Sequence, residues 1–207
     1  MVAAGRDHIN AIYVVAMAEH EKTVTLHGNV DVSGERRLSC YLSPFDALLD
    51  VMRCERGSIQ VLQVTDLTPD ALTGRASERA SIFLHAAWRA RDGRILVRPD
   101  GAPDTVAFGI PRPQSWDEMA APFEATVRLM DAVHEQAGLF AWREPLQAFF
   151  TSDANALQAM AQRAWREVPV MQVDHADPDF DQFAVFDPEF QQWHFVPVLE
   201  VFDAMQV

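Results

Sequence analysis

Lysine is almost missing from this chain, with one residue against sixteen arginines. Bases of either kind run out before the end. The last is Arg166, and from Glu167 to Val207 there are nine acids and no lysine or arginine. A surface of that sign repels nucleic acid and anionic membrane and attracts basic partners. Cysteine is also scarce: Cys40 and Cys54 are the only two, with no C-x-x-C spacing. That excludes a disulfide framework and a thioredoxin-type motif, and it fits two buried thiols in a reducing cytoplasm. No apolar run reaches the ~18 residues that a membrane helix needs. The opening "MVAAGRDHIN" places charges and a histidine where a signal peptide would be apolar.

Catalytic patterns are missing too. There is no G-x-S-x-G elbow, no P-loop, no dinucleotide glycine fingerprint and no H-E-x-x-H pair. Of seven histidines, no two stand at ligand spacing on one helix. His85 sits within an apolar strand, where packing explains it better than catalysis. Cys40 comes three residues before a helix cap, on a strand expected to be buried, so it is read as an inert thiol. No cofactor is implied. Glu19, His20, His85, Asp174 and His175 are the groups an enzyme without a motif would have to assemble, and nothing in their spacing joins them.

What is present reads as a globular α+β chain. Of its residues, 49% are hydrophobic and 23% charged, well away from disorder. At this length a chain buries roughly 70% of its unfolded surface. "INAIYVVAMA", "KTVTLHGNV" and "RLSCYL" read as strands, and so do "SIQVLQV", "PDTVAFGIPRP", "PLQAFF" and "VPVMQV". Ser43-Pro44 opens a helix in "SPFDALLDVMRC". "SIFLHAAWRARDGRILVRP" is a hairpin whose Asp92-Gly93 turn needs positive φ. "SWDEMAAPFEATVRLMDAVHEQAG" is a long helix. Ser115 and Glu118 match a capping box, Pro122 argues that the regular part starts there, and Gly138 is the stop. Its apolar stripe is Phe123, Val127, Met130 and Val133 or His134. "TSDANALQAMAQRAW" is a further helix. In the last thirty residues, "FDQFAVF" and "HFVPVLEVF" are expected as strands, with "DPEFQQW" as a turn or one helical turn between them. The expected architecture is mixed sheet with packed helices.

Two stretches resemble each other. "VLQVTDLTPD" (61–70) and "VMQVDHADPD" (170–179) share five of ten positions. Upstream, 41–52 aligns with 149–160, placing Ser43 on Thr151, Leu49 on Leu157 and Met52 on Met160. An internal duplication over 41–70 and 149–179 is one reading, and the ordinary periodicity of a strand-helix-strand unit is the other. Either way a parallel strand pair with a right-handed crossover is expected. The charge suggests the same two halves. Residues 1–103 hold 13 acids and 12 bases, whereas 104–207 hold 17 acids and 5 bases.

The stretch "DHADPDFD" (174–181) carries four aspartates. Asp177, Asp179 and Asp181 stand at positions 1, 3 and 5 of a calcium loop. That loop needs glycine at position 6 and glutamate at position 12, and here those are Gln182 and Pro188. No metal site is assigned. The bland reading is a solvated loop; the functional one is a docking surface. Exposed carboxylates accelerate encounter but add little affinity, so tight binding needs aromatic anchors among them. "FDPEFQQWHF" supplies both kinds of residue. The expected partner-binding set is Asp174, Asp177, Asp179, Asp181, Asp187, Glu189, Phe190 and Trp193. The functional expectation is a non-enzymatic acidic protein that neutralises a basic protein partner. A bacterial immunity or antitoxin-type inhibitor acting on a toxin is the concrete instance, by analogy of class and without a shared motif. A DNA mimic, an enzyme with a scattered site and an assembly module are the alternatives. Arginines Arg89, Arg91, Arg94 and Arg98 of the hairpin are expected to balance the acidic half, within the molecule or across a homodimer.

Overall fold

The structure is a computed structural model. It describes residues 12–20, 23–26, 28–30, 36–52, 58–63, 81–99, 101–111, 113, 118, 120–144, 149, 151–174 and 179–206. The fold is α+β, as the element pattern implied, with eleven strands and four helices among the described residues. The strands are β1 (Tyr13–His20), β2 (Thr23–Leu26), β3 (Gly28–Val30), β4 (Arg36–Cys40), β5 (Ser58–Gln63), β6 (Ser81–Arg91), β7 (Arg94–Val97), β8 (Thr105–Ile110), β9 (Val170–Gln172), β10 (Gln182–Asp187) and β11 (Gln192–Pro197). The helices are α1 (Pro44–Val51), α2 (Ala120–Gln136), α3 (Ala154–Glu167) and α4 (Val198–Ala204). Two compact units emerge, and neither is continuous in sequence. Unit 1 takes residues 1–85 and 107–126; unit 2 takes 86–106 and 127–207. The sequence suggests two halves divided after residue 103, or one compact domain with an internal duplication over 41–70 and 149–179; in the fold β6, β8 and α2 each contribute residues to both units.

Unit 1 contains a three-stranded antiparallel sheet, ordered β2-β1-β5. In a second, separate sheet β4 pairs antiparallel with β3 and parallel with β6, from Arg37↔Ser81 to Cys40↔Leu84. The start of α1 follows from its sequence. Ser43 has extended backbone, its Oγ accepts from the Asp46 N–H at 3.3 Å, and Pro44 fills the first turn where no N–H is needed. The helix buries Ala47 and Val51 against Tyr13, Val15 and Tyr41. The expected parallel pair across this helix does not form. The strand after α1 is β5, and it hydrogen-bonds to β1 in antiparallel register, Tyr13↔Gln63 to Ala18↔Ser58. Both sides of β4 are taken, by β3 and by β6, so β5 pairs with β1 instead.

Unit 2 is built on the second half of β6. Its 88–90 stretch pairs with β10, which pairs with β11, and its end turns tightly into β7. Asp92 and Gly93 take φ of 53° and 68°. Those are the paired positive values a two-residue hairpin requires. The parallel pair in this unit is β7 with β9, Ile95↔Val170 to Val97↔Gln172. Strand β6 reads almost wholly buried because both of its faces are covered. Trp88 is fully buried and meets Trp165 and Trp193 edge-on, with centroids at 6.0 and 5.2 Å. Edge-to-face rings of this kind add to area burial.

Three further expectations change. Helix α3 is capped by Asp153, whose carboxylate accepts from the Asn155 N–H at 2.8 Å, and not by Thr151. Thr151 lies two residues earlier in a turn. Within "PLQAFF", Phe149 is the described residue and is helical rather than extended. "HFVPVLEVF" is part strand and part helix. Pro197 ends β11, and α4 begins at once, with the Val198 N–H donating to the Asp181 carbonyl at 2.8 Å. Helix α2 covers 120–136, so Pro122 falls in its first turn, where it is tolerated. Ser115 of the expected capping box lies outside the described residues. Gly138 follows at φ 80°, as a helix stop should.

Trp88→Ala removes the centre of the unit 2 ring cluster. It is expected to cost about 3–5 kcal/mol. The loss is read from urea unfolding, and the near-ultraviolet circular dichroism of the clustered tryptophans should collapse with it.

Candidate functional site

The acidic, aromatic end of the chain belongs to unit 2, and its turn is defined atom by atom. Strand β10 ends at Asp187, and β11 begins at Gln192. The Asp187 side chain is buried, and its Oδ1 accepts two backbone bonds, from the Glu189 N–H at 2.8 Å and the Phe190 N–H at 3.1 Å. An aspartate that bonds its own chain two residues on is a turn-forming device. Its Oδ2 lies 3.8 Å from the His194 Nε2. Gln191 completes the reversal at φ 54°. The result holds Phe190 71% exposed at the tip, with Glu189 exposed beside it.

This corrects two of the expected contact residues. Asp187 is not a surface carboxylate; the turn consumes it. Trp193 is half-buried. Its Nε1 donates to the Ala164 carbonyl at 3.0 Å, and its ring sits among Trp88, Trp165 and Phe186. It mounts the strand on α3 instead of presenting a free anchor. Of the two aromatics expected as anchors, Phe190 is the one that stays outside. The reason is local. Trp193 faces Phe186 across the β10–β11 ladder, on the side that packs, whereas Phe190 lies in the turn beyond the ladder.

Among the aspartates upstream, Asp174, Asp179 and Asp181 are exposed. Asp177 and His175 lie outside the described residues. The segment is tied down at several points. The Phe180 ring packs on Phe183, with centroids at 5.6 Å, and Arg89 lies over it at 4.9 Å. Arg91 Nη1 reaches the Asp179 carbonyl at 3.5 Å. The Asp181 N–H donates to the Ala90 carbonyl at 3.2 Å. Arg89 also pairs with Asp104 at 3.1 Å. The arginine hairpin therefore shares a unit with the acidic segment, and the charge division is milder than the sequence order implied. Unit 2 holds 16 acids and 8 bases, and unit 1 holds 14 acids and 9 bases.

A second constellation lies in unit 1, and sequence spacing did not point to it. The Tyr41 hydroxyl donates to Asp50 Oδ2. The His85 ring lies 5.6 Å from the Tyr41 ring. Asp46, one helical turn before Asp50 on α1, is buried. Burial, then the negative charge of Asp50, raises Asp46 from an ordinary 3.8 to about 8. Burial lowers His85 from 6.5 to about 4, with Asp50 opposing that shift. Tyr41 is raised well above its usual value, by burial first and by Asp50 second. The signal in the sequence was the i, i+4 pair of aspartates on a helix whose other positions are apolar. Tyr41, Asp46 and His85 are each nearly inaccessible, so the arrangement works as a polar brace within the core. Of the other groups considered for a scattered enzyme site, Glu19 and His20 end β1, while His85 is in unit 1 and Asp174 in unit 2. Cys40 is buried, and burial pushes its thiol up to about 12, far from a nucleophile's range. Cys54 lies outside the described residues. No group of three or more metal-ligating side chains occurs among the described residues. No helix there is long and apolar enough to cross a membrane.

Comparison with family models, curated proteins and solved structures finds no match for the chain.

Two measurements test these assignments. Asp187→Ala leaves two turn N–H groups without their acceptor and should cost about 1–3 kcal/mol, while Asp187→Asn keeps an acceptor oxygen and should recover most of it. Equal losses would show that the carboxylate charge, not the cap, is what matters. For Asp46 the folded value is raised, so its contribution is complete at low pH and is lost as pH rises towards 8. His85 has the opposite sign, with its contribution complete above 6.5 and lost on acidification towards 4. Between pH 6.5 and 8 Asp46 acts without that opposition. The urea midpoint should fall over that interval in the wild type and stay flatter in Asp46→Asn.

Proposed function

We propose that the chain is a non-enzymatic binding protein for a basic protein partner, and that the Asp187–Gln192 turn is its principal anchor. One observation carries this reading: a large apolar side chain, Phe190, stands exposed on a turn whose conformation is fixed beforehand by Asp187. Binding costs free energy for every side chain and loop ordered at the interface. A turn closed by two side-chain bonds has met much of that cost in the free protein. Glu189 is exposed next to the ring, and Asp174 and Asp181 are exposed in the same unit. These charges favour encounter with a cationic surface, and the ring supplies the affinity that exposed charges lack.

An inhibitor of the immunity or antitoxin type, acting on a basic toxin, is the concrete form. Nucleic acid is a poor partner for a chain of net charge −13. A protein partner is favoured over DNA mimicry by the exposed ring, since a phosphate imitation needs carboxylates alone.

The immobilised chain should retain a basic protein from native extract at low salt and release it at high salt. Phe190→Ala should reduce that retention about tenfold or more, while Glu189→Gln should change it little but weaken its salt dependence. Undiminished retention by Phe190→Ala overturns the reading.

A further inference from the structure

Further apolar surface is exposed that the turn leaves unexplained. Most of it lies on α4. Val201 is fully buried and seats this helix, and Phe202 still touches Phe183 with ring centroids at 6.3 Å. The outward positions are not all polar, as they would be on an ordinary surface helix. Leu199 is 77% exposed, Phe202 47% and Met205, at the helix end, 42%. Glu200 and Asp203 are exposed among them. Leu199 and Phe202 are three residues apart, and so are Phe202 and Met205, which places each pair on neighbouring helix positions. An apolar side chain left in water forgoes about 1.5–3 kcal/mol of burial, so three on one short helix mark a contact surface.

We infer that the outward side of α4 is a docking surface for a cationic amphipathic helix of a partner protein, with apolar side chains over Leu199, Phe202 and Met205 and basic ones beside Glu200 and Asp203. Charge selects this occupant. The helix bears two acids and no base, and no base follows Arg166 in the chain. A second copy would bring Glu200 and Asp203 against their own counterparts, on a chain already at −13. That juxtaposition is repulsive, whereas lysine or arginine flanking an apolar stripe meets both needs at once. The inference rests on the reading that the partner is basic, and it adds a second, separate contact. The turn and α4 lie at opposite ends of β11. Six strand residues set them about 20 Å apart. A partner surface of ordinary size, about 800 Å² on each side, reaches over such a distance.

The test uses the full chain and a synthetic helix-forming peptide of leucine and lysine, about fourteen residues long, with an apolar stripe. A glutamate-for-lysine version of the same peptide is the control. Binding is followed by nuclear magnetic resonance of methyl and aromatic groups and by titration calorimetry. The expected result is that the cationic peptide shifts the signals of Leu199, Phe202 and Met205 while the acidic one does not. Leu199→Ser should weaken binding about fivefold or more with an unchanged circular dichroism spectrum. The double variant Glu200→Gln with Asp203→Asn should weaken binding and remove most of its salt dependence. Phe190→Ala should leave peptide binding as it is. Shifts confined to other residues, equal binding of both peptides, or full affinity in Leu199→Ser overturns the inference. So does self-association in sedimentation that Leu199→Ser abolishes, because the occupant would then be a second copy. The readouts separate the two claims. If Phe190→Ala abolishes capture of the basic protein but Leu199→Ser does not affect peptide binding, the turn stands and α4 falls. Peptide binding that depends on Leu199, with protein capture indifferent to Phe190, gives the reverse.

Discussion

A single carboxylate organises the acidic end of this protein. Asp187 closes the strand it belongs to, and its Oδ1 takes the N–H groups of Glu189 and Phe190. Without that acceptor the turn would have to satisfy both donors with water, and the position of Phe190 would no longer be set by the fold. The arrangement works because Asp187 sits at the last rung of the β10–β11 ladder, opposite Gln192, where the sheet holds its backbone still. Sheet, cap and tip form one chain of causes. The tryptophan cluster under β11 anchors the strand, the strand anchors the aspartate, and the aspartate anchors the ring that faces solvent.

Charge is arranged differently in space from its order along the chain. Reading from end to end separates a near-neutral half from a strongly acidic one. The fold returns the arginine hairpin to the acidic unit, where Arg89 covers Phe180 and pairs with Asp104, and Arg91 meets the Asp179 carbonyl. Two of the four hairpin arginines thus stabilise the acidic segment's backbone and ring. Asp174, Asp181 and Glu189 remain exposed. The acidic segment is therefore less isolated from positive charge than its order in the sequence suggests.

Much of the fold was legible because its signals are local. Ser43-Pro44 names a helix start through hydrogen-bonding chemistry that needs no tertiary context, and Asp92-Gly93 names a hairpin through backbone sterics. Strands β1, β5 and β10 show in their apolar runs. What was not legible depends on partners far away in sequence. Nothing in "SIQVLQV" says that it will lie against β1, and the alternation in "HFVPVLEVF" is as good a strand as the helix it partly becomes. The candidate site divides in the same way. The acidic, aromatic composition of 174–193 was plain, and Phe190 and Glu189 are exposed on the turn. That Asp187 is spent on the turn and Trp193 on the core follows from which residues fall at the end of a ladder and which on its packed side. The unit 1 brace of Tyr41, Asp46, Asp50 and His85 escaped notice because its members come from three elements whose meeting no short motif records.

The interleaving of the two units along the chain has a consequence for how the protein is made. Unit 1 needs residues 107–126 before it is whole, and unit 2 opens at 86 and closes near the last residue. On the ribosome, the β6–β7 hairpin emerges early with an apolar edge, yet Ala90 does not meet Gln182 until β10 has been synthesised. Pairings that distant in sequence bear a large loop-closure cost and form slowly. One edge of β6 therefore waits for β10 although its partners β4 and β7 are made before or just after it. The seating of β10 on β6, rather than the closing of any local hairpin, is the step on which the native topology of unit 2 waits.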